Sequence, residues 1–231
     1  MTWPRRWLPW VLSLGAVVSL GGALSVQRSP DPVDRPLVIL AAGDSMTAAG
    51  YPDELQALCD AARLKVRVVN AGVKGHTSGE YLAYLRASGA LARTRPDVVL
   101  LQLGTNDVRI DGDRTETARF YRQMNEILDR VLAQPTPRGE APAVFLSTIP
   151  PVVVTIPRHF DASSARRVVE EINPTIRRLA RERDLPLVET YELFVRHPGW
   201  LPDIHPTAEG YRAMARRWLE ALTPLITRRA A

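Results

Sequence analysis

The chain has 231 residues, of which 45% are hydrophobic and 24% are charged, and its formal net charge is +5. This composition predicts one domain with a substantial core and excludes disordered and fibrous classes of protein. The basic residues are scattered over predicted helix faces without interleaved aromatic residues, which indicates a solvated surface. We therefore expect no nucleic-acid partner.

The first part of the chain has the pattern of an export segment. Arg5 and Arg6 precede an uncharged, apolar stretch from Trp7 to Val26. The pattern predicts a signal peptide or an N-terminal membrane anchor over residues 1–28, with membrane attachment through residues 7–26 in the second case. Both alternatives predict export of the rest of the chain, to the periplasm or the extracellular side. Residues 29–36 are rich in proline and charge, as in a linker, so we expect the catalytic domain over residues 37–226.

Beyond the linker, apolar runs alternate with amphipathic segments. Predicted helices separate the runs. We expect Ser78 to cap the second helix and Pro174 to kink the fourth; Thr207 should cap the last helix, which should end near Leu222. Apolar strands separated by helices predict an α/β fold, a three-layer α/β/α sandwich with a parallel sheet. The five predicted strands span residues 37–42, 65–70, 97–103, 143–148 and 187–189.

Polar residues with catalytic chemistry follow the predicted strands. In a parallel sheet the loops after the strands share one edge, where active sites collect. A serine in such a loop needs a base, and histidine suits this role because its pKa lies near ~6.5. Glycine N–H groups and an asparagine amide can stabilise an oxyanion. The four segments that contain these polar residues are Gly43-Asp44-Ser45, Asn70–Thr77 with Gly75, Gly104-Thr105-Asn106-Asp107 and Asp203-Ile204-His205.

These four segments, in this order, resemble the blocks of the SGNH, or GDSL-type, hydrolase (esterase/lipase) family, and they extend from residue 43 to residue 206. The pattern Gly-x-Ser-x-Gly is absent around Ser45, which argues against an α/β-hydrolase. The resemblance implies a flavodoxin-like five-stranded sheet and ester or thioester hydrolysis without a metal or a cofactor. It also implies that Ser45 is the nucleophile, with its own N–H, the Gly75 N–H and the Asn106 amide as oxyanion donors. His205 would be the base and Asp203 its orienting acid.

Two positions depart from the family pattern. The family usually has its acid three residues before the histidine, but Pro202 holds that position and Asp203 lies two residues before His205. In an extended segment, residues two apart point to the same side, so Asp203 could still reach the imidazole; a backbone carbonyl is the alternative partner. At the second departure, His76 follows the block-two glycine, where relatives often have aspartate. A loop-stabilising or solvent-facing histidine is favoured there over substrate contact.

Three functions fit the sequence. The first is an exported serine esterase acting through an acyl-enzyme on small acyl esters, lysophospholipids or O-acetylated glycans. The second is an envelope acyltransferase that uses the same site, and the third is a membrane-tethered binding module whose site has decayed. Residues 150–161 follow the fourth strand, and their apolar side chains either line an acyl pocket or pack on the body of the domain. The sequence leaves the oligomeric state open.

Overall fold

The structure is a computed structural model that describes residues 35–112, 114–154 and 159–230. The predicted signal peptide or anchor over residues 1–28 therefore lies outside the described residues. No helix within the described ranges is long and apolar enough to cross a membrane.

Five parallel strands form one sheet in the order β2-β1-β3-β4-β5. This is the flavodoxin-like order, and it confirms the predicted fold class. Side chains of β1 alternate between two hydrophobic cores: Leu40 and Ala42 belong to one, and Ile39 and Ala41 to the other. Both faces of the strand are thus buried, which is why it is apolar at every position. The strands are β1 Leu37–Gly43, β2 Val66–Gly72, β3 Val98–Gln102, β4 Ala143–Ser147 and β5 Leu187–Val188.

Helices cover the two faces of the sheet and complete the three layers. The core around Phe120 joins the sheet to α3, α4, α5 and α7, and the core around Trp218 joins it to α2, α8 and α9. The helices are α1 Ser45–Ala48, α2 Tyr51–Ala61, α3 Ser78–Ser88, α4 Ala90–Thr94, α5 Thr117–Leu132, α6 Ala162–Arg167, α7 Asn173–Glu182, α8 Thr190–Arg196 and α9 Ala208–Ala230. Short 3₁₀ segments span Asn106–Val108 and Pro198–Trp200.

Three local predictions need correction or refinement. Helix α3 has the predicted bounds, but its N-cap is Thr77, which forms a capping box with Glu80, and not Ser78. A π-helical turn, Val168–Ile172, separates α6 from α7, so the interruption precedes Pro174. Helix α9 continues through Pro224 to Ala230, because Leu225 and Ile226 on the far side of the proline still pack against the core.

The sheet has two distinct edges. We call the end where the strands finish the carboxyl edge, and the end where they begin the amino edge. At the carboxyl edge, α1 lies unusually close to β1 and β2. A Cβ at Gly43 would lie 2.2 Å from Thr47 Oγ1, and one at Gly72 would lie 2.4 Å from the Ala48 nitrogen. Glycine at both positions lets this short helix, which begins at Ser45, sit directly on the sheet.

Candidate active site

Ser45 is the first residue of α1 and lies immediately after β1. Asp44 is the N-cap of this helix, and its Oδ1 accepts a hydrogen bond from the Met46 N–H at 2.9 Å. The cap fixes the turn that presents the Ser45 hydroxyl. Ser45 is partly exposed, whereas its neighbours Asp44, Met46 and Thr47 are buried, so the hydroxyl is the group this turn offers to solvent.

The segment that precedes α9 brings His205 to the same point. The Nε2 atom of His205 lies 3.0 Å from the Ser45 Oγ, although 160 residues separate them along the chain. Thr207 ends this segment as the cap of α9, because its hydroxyl accepts the Gly210 N–H at 3.2 Å. A serine hydroxyl within hydrogen-bonding distance of an imidazole is the arrangement that lets the imidazole take the hydroxyl proton.

Hydrogen-bond donors surround the space beside Ser45. The Asn106 Nδ2 donates to the His76 carbonyl at 3.0 Å, which fixes the amide plane and leaves its second hydrogen for another acceptor. Within the described residues, the backbone N–H groups of Ser45 and Gly75 have no protein acceptor. Gly75 has φ of +78°, and a Cβ there would meet nothing within 4 Å, so this glycine is needed for its backbone conformation rather than for space.

Two buried carboxyl groups lie beneath these loops. Burial raises the pKa of Asp44 to about 6, and the Met46 N–H partly offsets this effect. Burial also raises the pKa of Asp107, although the Ser78 hydroxyl donates to its Oδ1 at 2.6 Å and the Ser78 N–H to its Oδ2 at 3.0 Å. Asp107 thus ties the loop after β3 to the start of α3, which holds Asn106 beside Gly75.

Asp203 contacts the backbone of His205 rather than its ring. Its Oδ1 accepts the His205 backbone N–H at 2.6 Å. Among the described residues, no group forms a hydrogen bond with the Nδ1 of His205, so the predicted carbonyl alternative has no contact there either. The structure brings Ser45, Gly75, Asn106 and His205 together around one cleft and places Asp203 behind the histidine, at the backbone.

The cleft has a volume of about 490 Å³, and sequence reasoning missed part of its lining. Among the described residues, Ala49 and Ile204 contribute apolar surface to it, and Lys74, Arg109 and His159 contribute polar groups. His159 Nδ1 lies 2.5 Å from Asp111 Oδ2, and Arg109 also binds this carboxylate, at 2.8 Å. About 50 residues separate His159 from its partners, so only the fold brings them together.

His76 and most of the described part of the loop over residues 150–161 contribute to the structure and not to the lining of the cleft. The His76 ring packs edge-on against Tyr84, with 6.1 Å between ring centroids, and its carbonyl holds Asn106. In the loop over residues 150–161, Val152 and Phe160 are buried in the core, and His159 is the described residue of this loop that lines the cleft. No group of three or more metal-ligating side chains occurs in the ranges that the structure describes.

Comparison with known proteins agrees with this geometry. Residues 41–213 match the model of the GDSL-like lipase/acylhydrolase family. The chain is 29% identical over 197 residues to thioesterase 1/protease 1/lysophospholipase L1 of Escherichia coli (strain K12), and the match covers 81% of this chain and 84% of that protein. It is 27% identical to an acetylxylan esterase of Xylanibacter ruminicola, over 80% of this chain and 43% of the esterase.

Solved structures share the fold. A GDSL-like lipase from Bacteroides thetaiotaomicron superposes with a TM-score of 0.67 at 20% identity, over 82% of this chain and 89% of the lipase. An acetylxylan esterase from Geobacillus stearothermophilus superposes with a TM-score of 0.66 at 19% identity, over 82% of this chain and 95% of the esterase. The chain therefore belongs to the GDSL-like lipase/acylhydrolase family and is a carboxylic ester hydrolase.

Proposed function

We propose that the chain is an exported serine esterase that hydrolyses esters through an acyl-enzyme on Ser45. The single observation that carries this proposal is the 3.0 Å distance between the Ser45 Oγ and the His205 Nε2 in a cleft lined by Gly75 and Asn106. An apolar stretch behind Arg5 and Arg6 supports export, as a cleaved signal peptide or as an uncleaved anchor.

The reaction has two halves. In the first, His205 Nε2 takes the Ser45 proton while the Ser45 Oγ attacks the ester carbonyl, and the imidazolium then gives this proton to the departing alcohol. In the second, water attacks the acyl-enzyme, loses a proton to His205, and the acid leaves as Ser45 is reprotonated. The Ser45 and Gly75 N–H groups and the Asn106 amide bind the oxyanion, and each donor lowers the barrier by about 3 kcal/mol.

Asp203 supports His205 from the backbone side in this proposal. Its carboxylate accepts the backbone N–H of His205 and so fixes the segment that carries the imidazole. Its negative charge also lies close to the imidazolium that forms during the reaction and stabilises it electrostatically. Asp203 is therefore the acid of the site, acting on His205 through its segment and its charge.

The cleft favours a small acyl group on a polar alcohol. Among the described residues that line it, Ala49 and Ile204 give apolar surface sufficient for an acetyl group, and Lys74 and Arg109 give charged groups. An O-acetylated glycan fits these features better than a long-chain lysophospholipid. The similarity to acetylxylan esterases supports the same substrate class.

The test is the variant Ser45→Ala, assayed with p-nitrophenyl acetate and p-nitrophenyl octanoate. We expect kcat to fall by at least about 10³-fold with either ester, because the nucleophile is lost. The matched control is Ser88→Ala, at the far end of α3, which should retain wild-type turnover. For the wild type we expect a higher kcat/KM with the acetate. Retained turnover in Ser45→Ala would contradict the mechanism, and a preference for the octanoate would contradict the substrate class.

A further inference from the structure

The amino edge of the sheet carries a concentration of positive charge. A basic residue lies one to five residues before each of the five strands, and two more lie in the last turn of α9, at Arg228 and Arg229. With Arg63, eight basic residues occupy these loops and this turn, against three acidic ones, Asp97, Glu140 and Asp184. The five residues before the strands are Arg35, Lys65, Arg95, Arg138 and Arg183.

The carboxyl edge has the opposite balance. Its described loops contain seven acidic residues and three basic ones, Lys74, Arg109 and Arg114. Helix C-termini at the amino edge carry partial negative charge, but this charge is confined to the last turn. Arg35 and Arg229 are largely buried against Asp97, whereas other basic side chains of this edge are exposed, among them Arg63, Arg95 and Arg228. The domain is therefore electrically polarised along the strands, with its positive end opposite the Ser45 cleft.

The chain enters the domain at this positive end. Arg35 precedes β1, and a short linker connects β1 to the apolar stretch Trp7–Val26 in the sequence. The ten residues 27–36 between this stretch and β1 span at most about 36 Å when fully extended. A linker of this length is short enough for the amino edge to reach the headgroups of a bilayer that holds the apolar stretch. Anionic headgroups attract basic residues that lie within about a Debye length of the surface.

We propose that the amino edge docks on the surface of an anionic lipid bilayer, so that the Ser45 cleft opens away from the membrane. The seven-residue strand β1 alone spans about 20 Å between the two edges, so a docked domain holds the cleft well beyond the headgroups. This orientation suits substrates in the aqueous space or in a surrounding polymer, and not lipids of the membrane that carries the protein. The inference builds on the proposed export but not on the ester hydrolysis.

The test measures how far each edge lies from the bilayer. Fluorophores are attached to the full chain at Thr227→Cys, at the amino edge, or at Gly112→Cys, at the carboxyl edge; both positions are exposed. Cys59 has no exposed surface, so only the introduced thiol reacts. Energy transfer to dye-labelled lipid is then recorded with vesicles of phosphatidylcholine alone and of an equimolar mixture with phosphatidylglycerol.

We expect at least twofold higher transfer from the Thr227 position than from the Gly112 position with the mixed vesicles. The difference should shrink in about 1 M salt, where the Debye length is about 3 Å. It should also shrink in the triple variant Arg63→Gln, Arg95→Gln and Arg228→Gln. The matched control, with the same change in net charge, is Arg122→Gln, Arg166→Gln and Arg212→Gln, which should behave as the wild type.

Several outcomes would overturn the proposal. The first is equal energy transfer from the two positions. The second is a difference in transfer that is as large with phosphatidylcholine alone as with the mixed vesicles. The third is an equal decrease of this difference in both triple variants. Binding of the chain to heparin but not to the mixed vesicles would likewise overturn it, in favour of an anionic polymer as the partner. If the amino-edge variant fails to fold, the lipid and salt dependence of the wild type still decides the question. Loss of ester hydrolysis would not bear on it.

Discussion

The two edges of the sheet use carboxylates in opposite ways. At the amino edge, Asp97 accepts hydrogen bonds from the two terminal guanidinium nitrogens of Arg35 and from the Val38 N–H at 2.8 Å, and it forms an ion pair with Arg229 at 3.2 Å. At the carboxyl edge, Asp44 is fully buried, its Oδ1 accepts one backbone N–H, and its Oδ2 lies beside Thr105 without a well-aligned hydrogen bond. Burial raises the pKa of Asp44 to about 6.

This difference indicates that the amino edge contributes to stability and that the carboxyl edge contributes to function. At the amino edge both carboxylate oxygens of Asp97 are hydrogen-bonded, and they join the ends of the domain, since Arg35 and Arg229 come from opposite ends of the described chain. The carboxyl edge retains buried groups that destabilise the fold but shape the loops around Ser45. Functional sites commonly contain such unfavourable groups, and other parts of the protein supply the stability that offsets them.

The largest effect that we expect from changing the carboxyl edge is on the rate. Asn106→Ala removes one oxyanion donor, so kcat with p-nitrophenyl acetate should fall about 10²–10³-fold while KM changes little. The unfolding free energy should change far less than the activation barrier. The control is Asn125→Ala, on the surface of α5, which should leave kcat unchanged. A fall of less than threefold in Asn106→Ala would remove Asn106 from the oxyanion site.

A change at the amino edge should lower the stability of the fold and leave the rate of hydrolysis unchanged. Asp97→Ala leaves two guanidinium groups and the buried Val38 N–H without their shared acceptor, so we expect a loss of about 3 kcal/mol in the free energy of unfolding. Below the unfolding transition, kcat should remain that of the wild type. Urea denaturation and steady-state kinetics measure the two quantities. A variant of wild-type stability with reduced kcat would show that the two edges are not functionally separate.

The pH dependence of the unfolding free energy tests whether Asp44, at the carboxyl edge, destabilises the fold when it is ionised. The pKa of Asp44 rises on folding from 3.8 to about 6, so the fold favours the protonated carboxyl. Its stabilising contribution is complete below pH 3.8 and is lost as the pH rises through about 6, by about 3 kcal/mol in total. The stability of the wild type relative to Asp44→Asn should therefore fall between about pH 4 and pH 7. Urea denaturation of the wild type and of Asp44→Asn across this range measures the fall, and a constant difference between the two proteins would contradict it.

The smallest effect on kcat that we expect comes from replacing Asp203. Asparagine can accept the same backbone N–H of His205, so Asp203→Asn should lower kcat by less than about tenfold, and Asp203→Ala should lower it further. Steady-state kinetics with p-nitrophenyl acetate compare the two variants. If Asp203→Asn instead lost about 10⁴-fold, as expected for an acid bound to the imidazole ring, the carboxylate would have to move to Nδ1 during the reaction.

The sequence was informative where a residue's role depends on its neighbours along the chain. The wholly apolar runs at β1 and β3 predicted buried parallel strands, and the order of the loops after the strands predicted that Ser45, Asn106 and His205 would meet. Local patterns failed where distant packing decides. Leu225 and Ile226 extend α9 past Pro224 because the core receives them, and His159 reaches the cleft through Arg109 and Asp111 on another loop.

The central claim is that Ser45 is the nucleophile activated by His205, and a fluorophosphonate probe tests it most directly. Peptide mass spectrometry of the labelled full chain should locate the adduct on Ser45, with labelling slowed at least about 10³-fold in His205→Gln and unchanged in His197→Gln. An adduct on another residue, or labelling of His205→Gln at the wild-type rate, would contradict the account.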